Sequence, residues 1–191
     1  MNPVLTPDTS VGIARSPFTF QTQTQVNEGQ RWLLSFTVAS YKRAEAAAWL
    51  AVLTALNGRE GSFLFGDPYE TTPLGVATGT PLVKGGSQTG DELDTDGWTA
   101  GVTGILKAGD WIGLGSGASS RLHRVLADVD SDGSGNATIP IWPMLRESPS
   151  DNDPVVTDGP KGVFRLTKNQ PDFARNFKRY PITVDAEEVL P

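Results

Sequence analysis

The stretch SYKRAEAAAWLAVLTALNGREGSFLFGDP, residues 40–68, decides the fold class of this chain. Apolar side chains recur there at the i, i+3, i+4 and i+7 positions of one helix face: Ala46, Trp49, Leu50, Leu53 and Leu56. Ser40 is a favoured N-cap residue and Asn57-Gly58 is a favoured stop, so the pattern predicts a helix over residues 42–57. Because a glycine-bounded strand follows at 61–66, we expect the helix to brace a sheet instead of joining a helix bundle.

A hairpin is predicted immediately before this helix. Residues 17–26, PFTFQTQTQV, alternate between two faces, and residues 31–39 alternate again after a turn at 27–30. One face of the first strand carries only uncharged polar side chains: Thr19, Gln21, Gln23 and Gln25. This flat face has two interpretations, a sheet face in contact with solvent or a surface that packs on a neighbouring subunit, and the sequence leaves both open.

The rest of the chain has the pattern of short strands separated by Gly- and Asp-rich turns. The predicted strands cover residues 81–84, 110–114, 121–129, 137–142, 161–167 and 179–189. Such spacing is typical of a small barrel or sandwich, and the middle of the chain is strongly acidic between near-neutral ends. We therefore expect a mainly β protein, in which residues 1–71 and 161–191 form a β-sandwich with one α-helix and residues 72–160 form an inserted small β-barrel-like domain. The strand before the insert and the strand at 161–167 after it should then be neighbours.

The composition disfavours or excludes several classes of protein function. A formal net charge of −6 disfavours stable nucleic-acid binding. The absence of cysteine excludes disulfides and thiolate metal sites. No apolar run approaches the roughly 20 residues of a membrane span, so no membrane insertion is expected. The opening MNPVLTPDTS lacks a secretory pattern, which predicts synthesis in the cytoplasm without export by that route.

No residue pattern predicts catalysis or a cofactor. The single histidine, His123, has no cysteine partner and no G-x-S-x-G elbow in the chain. A weak metal candidate is the loop whose oxygen-bearing side chains match the start of a calcium loop, D-x-D-x-D-G: Asp128, Asp130, Asp132 and Asn136. Ile139 stands where such a loop needs a bidentate Glu. We interpret the segment as a hairpin turn and predict no metal and no enzyme activity.

A basic segment with aromatic side chains precedes the last predicted strand. Its members are Arg175, Phe177, Lys178, Arg179 and Tyr180. Such residues can stack on nucleic-acid bases. In a chain this acidic, we favour a contact between subunits or a solvated strand end over nucleic-acid binding.

Several segments together resemble the distal tail protein (Dit) family of long-tailed, siphovirus-type bacteriophages. They are the hairpin, the Ala-rich helix running into GSFLFGDP at 61–68, and the returning terminal strand. In the middle of the chain, KAGDWIGLG at 107–115 and the Asp-rich hairpin at 122–146 are similar to phage minor tail sequences. The resemblance covers roughly residues 17–189.

The resemblance implies a structural role in the virion. A Dit-like subunit would form a homohexameric ring at the distal end of the tail, where it would contact the tail tube protein, the tail-tip hub and other minor tail or baseplate proteins used in host attachment. It implies no catalytic residues and no cofactor. Two alternatives are a carbohydrate-binding accessory module that uses Trp98, Trp111 or Trp142, and another minor tail or hub subunit.

Overall fold

The computed structural model describes residues 2–40, 42–169, 172–173 and 180–191. Over these residues the protein is mainly β, with two sheets and one α-helix. In chain order the elements are β1 (Val4–Arg15), β2 (Thr22–Ser40), α1 (Arg43–Ala55), β3 (Ser62–Phe65), β4 (Gly79–Val83), β5 (Gly90–Trp98), β6 (Trp111–Leu114), β7 (Arg121–Val125), β8 (Ala137–Leu145), β9 (Gly162–Leu166), β10 (Asp172–Phe173) and β11 (Tyr180–Glu188).

The chain divides into two compact units. Unit 1 comprises Met1–Gly58 with Leu166–Leu190, and unit 2 comprises Arg59–Arg165 with the terminal Pro191. The predicted boundaries were 71 and 161, so the division of contacts assigns β3 and most of β9 to unit 2. The division into a ring-forming domain and an inserted domain stays a prediction.

Unit 1 contains an antiparallel sheet in which β2 lies between β1 and β11, and β10 pairs with β11. Side chains of β2 and β11 alternate as predicted, and the buried ones share one face: Trp32, Leu34, Phe36, Ile182, Val184, Ala186 and Glu188. Residues directly opposite each other, such as Phe36 and Val184, pair across the two strands. Glu188 at the end of this row accepts from the Trp32 amide at 3.1 Å. The rest of the face is apolar, so it can bury against the helix.

The helix α1 confirms the predicted stripe. Ala46 and Leu53 are buried, and the ring of Trp49 meets that of Phe36 edge-on at 6.0 Å between centroids. The predicted N-cap at Ser40 is wrong, because β2 continues through that residue and Lys42 precedes the helix in an extended conformation without a side-chain cap.

The predicted stop after the helix is confirmed. Asn57 and Gly58 both have positive φ, 52° and 66°. A Cβ on Gly58 would lie 2.8 Å from the Cα of Asn169, so this position needs glycine both for its backbone conformation and for close approach.

The predicted hairpin is displaced along the chain. No turn forms at 27–30; β2 runs unbroken through these residues and pairs with β1, a strand that the sequence analysis missed. The turn lies at 16–21, where the Ser16 amide donates to the Gln21 carbonyl at 2.9 Å and Phe20 has a φ of 56°. Residues 27–29 form a bulge instead, since the register moves from Thr9 opposite Gln30 to Val11 opposite Val26.

Unit 2 is built around a five-stranded sheet of order β4-β5-β8-β7-β6, which curves as a half-barrel. Its core contains fourteen buried hydrophobic residues, which are Val83, Leu93, Trp98, Ile105, Leu106, Ile112, Leu114, Val125, Val129, Ala137, Ile139, Ile141, Leu145 and Val155. The strand β5 was not predicted, because its Asp and Gly residues are poor strand formers. It is placed by Leu93, Thr95 and Trp98, which are all buried.

The strand before the acidic middle and the strand after it are neighbours, as the sequence analysis expects. In unit 2, β3 and β9 pair antiparallel, with Phe63 opposite Phe164 and Phe65 opposite Gly162. Phe164 is fully buried and contacts the rings of both phenylalanines, at 6.4 Å and 6.0 Å between centroids. Because aromatic pairs across strands stabilise a sheet, this contact closes the loop of chain between them.

Candidate functional site

The most unusual surface of the described residues is the free end of the β1–β2 hairpin, residues 10–29, which we call the arm. Every residue of the arm except Ser16 is exposed, on both faces of the ribbon. Beyond the bulge, six residues of β1 extend to Arg15, which corresponds to about 20 Å. A two-stranded ribbon has little burial of its own, so an arm of this kind gains most when it contacts another surface.

One face of the arm is apolar. Val11 lies opposite Val26, and Ile13 lies opposite Thr24, which places these four side chains on one face. Ile13 is 69% exposed and Val26 is 74% exposed. Exposed β-branched side chains aligned on one face are typical of a surface that packs on a partner. The sequence analysis missed Val11 and Ile13, although their spacing of two within TSVGIAR was a weak signal.

The opposite face of the arm contains the predicted glutamines. Gln23 lies opposite Ala14 and Gln25 lies opposite Gly12, and Gln21 closes the turn through its carbonyl. Thr19, Gln21, Gln23 and Gln25 are all exposed. The structure therefore places the predicted Gln side chains of β2 on one face, and both interpretations of that face remain predictions.

The tip of the arm carries two exposed aromatic rings. Phe18 is 91% exposed, and Phe20 is exposed with the guanidinium of Arg15 stacked 4.8 Å from its ring centroid. The sequence analysis placed these rings in a strand, but the left-handed backbone at Phe20 belongs to the turn. Phe18 is the most exposed apolar side chain that the arm offers to a partner.

An ion-pair triad fixes the base of the arm. Arg31 on β2 donates from Nε to Asp8 on β1 at 2.8 Å and from Nη1 to Glu187 on β11 at 2.7 Å. The hydrogen bond that Arg31 donates to Asp8, together with the charges of both carboxylates, raises the pKa of Arg31. Because Asp8 lies directly opposite Arg31, the triad locks the register just below the bulge.

The predicted basic segment lies outside the described residues, except for Tyr180. The residues outside are Arg175, Phe177, Lys178 and Arg179. Tyr180 begins β11, where its backbone pairs with Ser40. A contact between subunits at this segment stays a prediction.

The carboxylates of the Asp-rich loop point to separate backbone groups. Asp132 accepts from the amides of Ser134 and Asn136, both at 2.8 Å, and Asp130 accepts from the Gly104 amide at 2.6 Å. A hydrogen bond from the Asn136 side chain and these amides lower the pKa of Asp132. Within the described ranges, no group of three or more His, Cys, Asp or Glu side chains could hold a metal ion.

The Asp of KAGDWIGLG has a structural role in unit 2. Asp110 is buried and accepts three backbone N–H groups: Leu74 at 2.7 Å, Gly75 at 3.1 Å and Lys107 at 2.7 Å. It therefore ties the loop at 74–75 to the turn that precedes β6. This part of the motif is explained by the fold, since a buried carboxylate needs such donors.

Two of the three tryptophans named for sugar binding are buried. Trp98 donates its Nε1–H to Thr95 at 2.8 Å inside the core. Trp111 donates to Glu70 at 2.7 Å and is covered by the guanidinium of Arg124, 4.3 Å from its ring centroid. Neither ring presents a free face to a sugar, and only Trp142 is partly exposed.

No protein-family model matches the chain, and no curated protein matches it. Among the residues that the structure describes, no helix is both long and apolar enough to cross a membrane.

Proposed function

We propose that this chain is a structural subunit of a bacteriophage tail, which assembles with copies of itself into a ring at the distal end of the tail tube. The ring joins the tube to the tail-tip hub and the host-contact proteins. The resemblance to the Dit family motivates this role, and the observation that carries it is the arm, a ribbon with an exposed apolar face and an exposed aromatic tip.

In a ring, the neighbouring copy supplies a surface on which the arm can be buried. A contact between two different surfaces of identical subunits generates a ring when the rotation closes. An arm that reaches about 20 Å beyond its base can lie on the next copy and bury Val11, Ile13 and Val26 there. The arm contains only two charged residues, Arg15 and Glu28, so its burial would desolvate few charges.

The finer architecture belongs to the same proposal. Unit 1 acts as the ring-forming part, a β-sandwich with one α-helix, and unit 2 acts as an inserted β-barrel-like domain. The arrangement is supported by the one-sided apolar face of β2 and β11 and by the pairing of β3 with β9. A carbohydrate-binding accessory module remains the second candidate, and the burial of Trp98 and Trp111 counts against it.

The test is the assembly state of the full chain. We expect light scattering after size exclusion to give a mass of several copies, and negative-stain images to show closed rings. A monomer at every concentration tested, or an open filament in place of a ring, would contradict the proposal for the isolated protein.

Two paired variants then locate the contact. The double variant Ile13→Thr/Val26→Thr keeps strand-forming residues but removes the apolar face, and we expect it to be monomeric. The matched variant Gln23→Thr/Gln25→Thr changes the opposite face of the same ribbon and should still assemble. The reverse result would assign the contact to the glutamine face.

A further inference from the structure

The inward-facing row of β7 changes from apolar to basic at one end of the half-barrel. Val125 belongs to the core, and His123 and Arg121 follow at alternate positions on the same face. His123 is only 4% exposed, and the Arg121 side chain is 17% exposed. Arginine and histidine rarely occupy core-facing positions unless partners compensate them, so their surroundings need a separate explanation.

Arg121 and His123 line a cavity of about 140 Å³ within unit 2. Arg146, which follows β8, lines the same cavity, as do the hydroxyl-bearing residues Ser119, Ser148 and Ser150. The volume is several times that of a water molecule. It is well below the roughly 300–1,000 Å³ of pockets for drug-sized ligands, so the cavity suits a small ion.

The imidazole of His123 has one ring nitrogen engaged. Its Nδ1 lies 2.7 Å from the carbonyl oxygen of Pro143, and because a carbonyl only accepts, Nδ1 carries the proton. No described residue forms a hydrogen bond with Nε2. Nε2 is therefore the polar atom that the buried ring can offer to the cavity.

The guanidinium of Arg121 is also incompletely bonded. Its buried Nε–H has no acceptor among the described residues. Its Nη1 reaches the Ser120 and Ala118 carbonyls only at 3.2 Å and 3.4 Å, and its Nη2 lies 3.4 Å from Glu147, whose side chain is 62% exposed. Arginine presents a planar fork of donors that matches an oxyanion, so a second acceptor would complete this geometry.

The charges that affect the pKa of the His123 imidazole are positive. Glu147 and Asp153 also line the cavity, but Glu147 is mostly in solvent and Asp153 accepts from the Ser150 amide at 2.8 Å. Burial, followed by the charges of Arg146 and Arg121, lowers the pKa of His123 to about 4, against the opposing effect of the Pro143 hydrogen bond. An anion placed between these groups would reverse the effect of the two arginines.

We propose that this cavity binds a small oxyanion, of the carboxylate or phosphate class, held by Arg121, Arg146 and Nε2 of His123. Binding is coupled to proton uptake, since Nε2 must be protonated to donate to the anion. The affinity therefore rises as the pH falls from 7.5 to 5.5. The site lies entirely within unit 2 and does not depend on the assembly proposed above.

The chain has a single histidine, so the test can follow one imidazole by NMR. Sodium sulfate is titrated into the full chain at constant ionic strength, with chloride as the balancing salt and formate as a planar anion for comparison. Sulfate stays ionised over this pH range. We expect a saturable change in the His123 signals at pH 5.5, weaker binding at pH 7.5, and a rise in the pKa of His123 of at least two units at saturation.

Variants separate a built site from general screening. Arg121→Gln should weaken sulfate binding at least tenfold, whereas Lys84→Gln removes one exposed positive charge in the same unit and should leave binding unchanged. If Arg121→Gln does not fold, Arg121→Lys keeps the charge, loses the fork and should weaken binding several-fold. Equal responses to sulfate and chloride in the natural chain, or full sulfate binding in both Arg121 variants, would overturn the proposal.

Discussion

The half-barrel of unit 2 and the arm of unit 1 are both antiparallel β-structure, yet their apolar side chains have opposite environments. Ile139 and Ile141 on β8 are fully buried, whereas Ile13 on the arm is 69% exposed. Alternation along a strand determines which side chains share a face, but it does not determine whether another layer covers that face. In the half-barrel the chain covers its own apolar face. On the arm it does not.

The strand β2 contains the same contrast within one element. Trp32, Leu34 and Phe36 alternate into the core, and Thr22, Thr24 and Val26 continue the alternation on the far side of the bulge without any cover. The bulge and the Arg31 triad lie where β2 passes from its buried part to its exposed part. This contrast can be tested by changing matched residues on each side of it.

The largest expected difference is between Ile141→Ala and Ile13→Ala. Ile141 is fully buried, so its truncation should lower the free energy of unfolding by about 2–5 kcal/mol. The same change at Ile13 should stay within about 0.5 kcal/mol, since the side chain is exposed. Urea unfolding followed by tryptophan fluorescence, at protein concentrations where the chain is monomeric, measures both. Equal losses would contradict the comparison.

The next largest loss of stability should come from removing the buried carboxylate of Asp110 in unit 2. Asp110→Ala would remove one acceptor for three backbone N–H groups, and we expect a loss of about 2–4 kcal/mol of unfolding free energy. The matched change Asp128→Ala removes an exposed carboxylate that accepts from the Ala108 amide and from Lys107. It should cost far less in the same urea experiment. A loss at Asp128 equal to that at Asp110 would show that burial is not the deciding factor.

A pH effect is expected from the buried end of β7. The pKa of His123 is lowered to about 4, mainly by burial, against about 6.5 in an unfolded chain. Between these values the unfolded state binds a proton that the folded state does not, so stability falls as pH drops from about 6.5 to about 4. The total loss from this group is about 3 kcal/mol. In chloride buffer, His123→Gln should flatten the dependence on pH; an unchanged slope would exclude this cause.

The sequence predicted those parts of the fold in which local pattern and burial agree. The α1 stripe, the alternation of Trp32, Leu34 and Phe36, and the pairing of β3 with β9 all belong to this class. It failed where a local signal was misleading. Phe18 and Phe20 are typical strand residues but form a turn. Pro7 disfavours a strand in the sequence, although the structure accommodates it on the edge strand β1.

The candidate sites were harder to predict for a different reason. The apolar face of the arm depends on Val11 of β1 meeting Val26 of β2, a register that a shifted turn would change. The basic cavity depends on Arg121 and His123 of β7 meeting Arg146 of the bend that follows β8. Such convergence is not visible in residue spacing along a single strand.

The smallest effect on stability should come from the base of the arm, where Arg31→Met removes both ion pairs of the triad. Because the Arg31 side chain is more than one third exposed, we expect a loss of less than about 1 kcal/mol. The arm, however, has few other contacts, so amide hydrogen exchange at Val11 and Ile13 should accelerate several-fold while exchange in β8 stays unchanged. Lys168→Met is the matched control, since its 3.9 Å pair with Asp185 lies away from the arm. If both variants accelerate exchange equally, the triad does not order the arm; if Arg31→Met alone does, the arm is held in its extended register by three charges at its base.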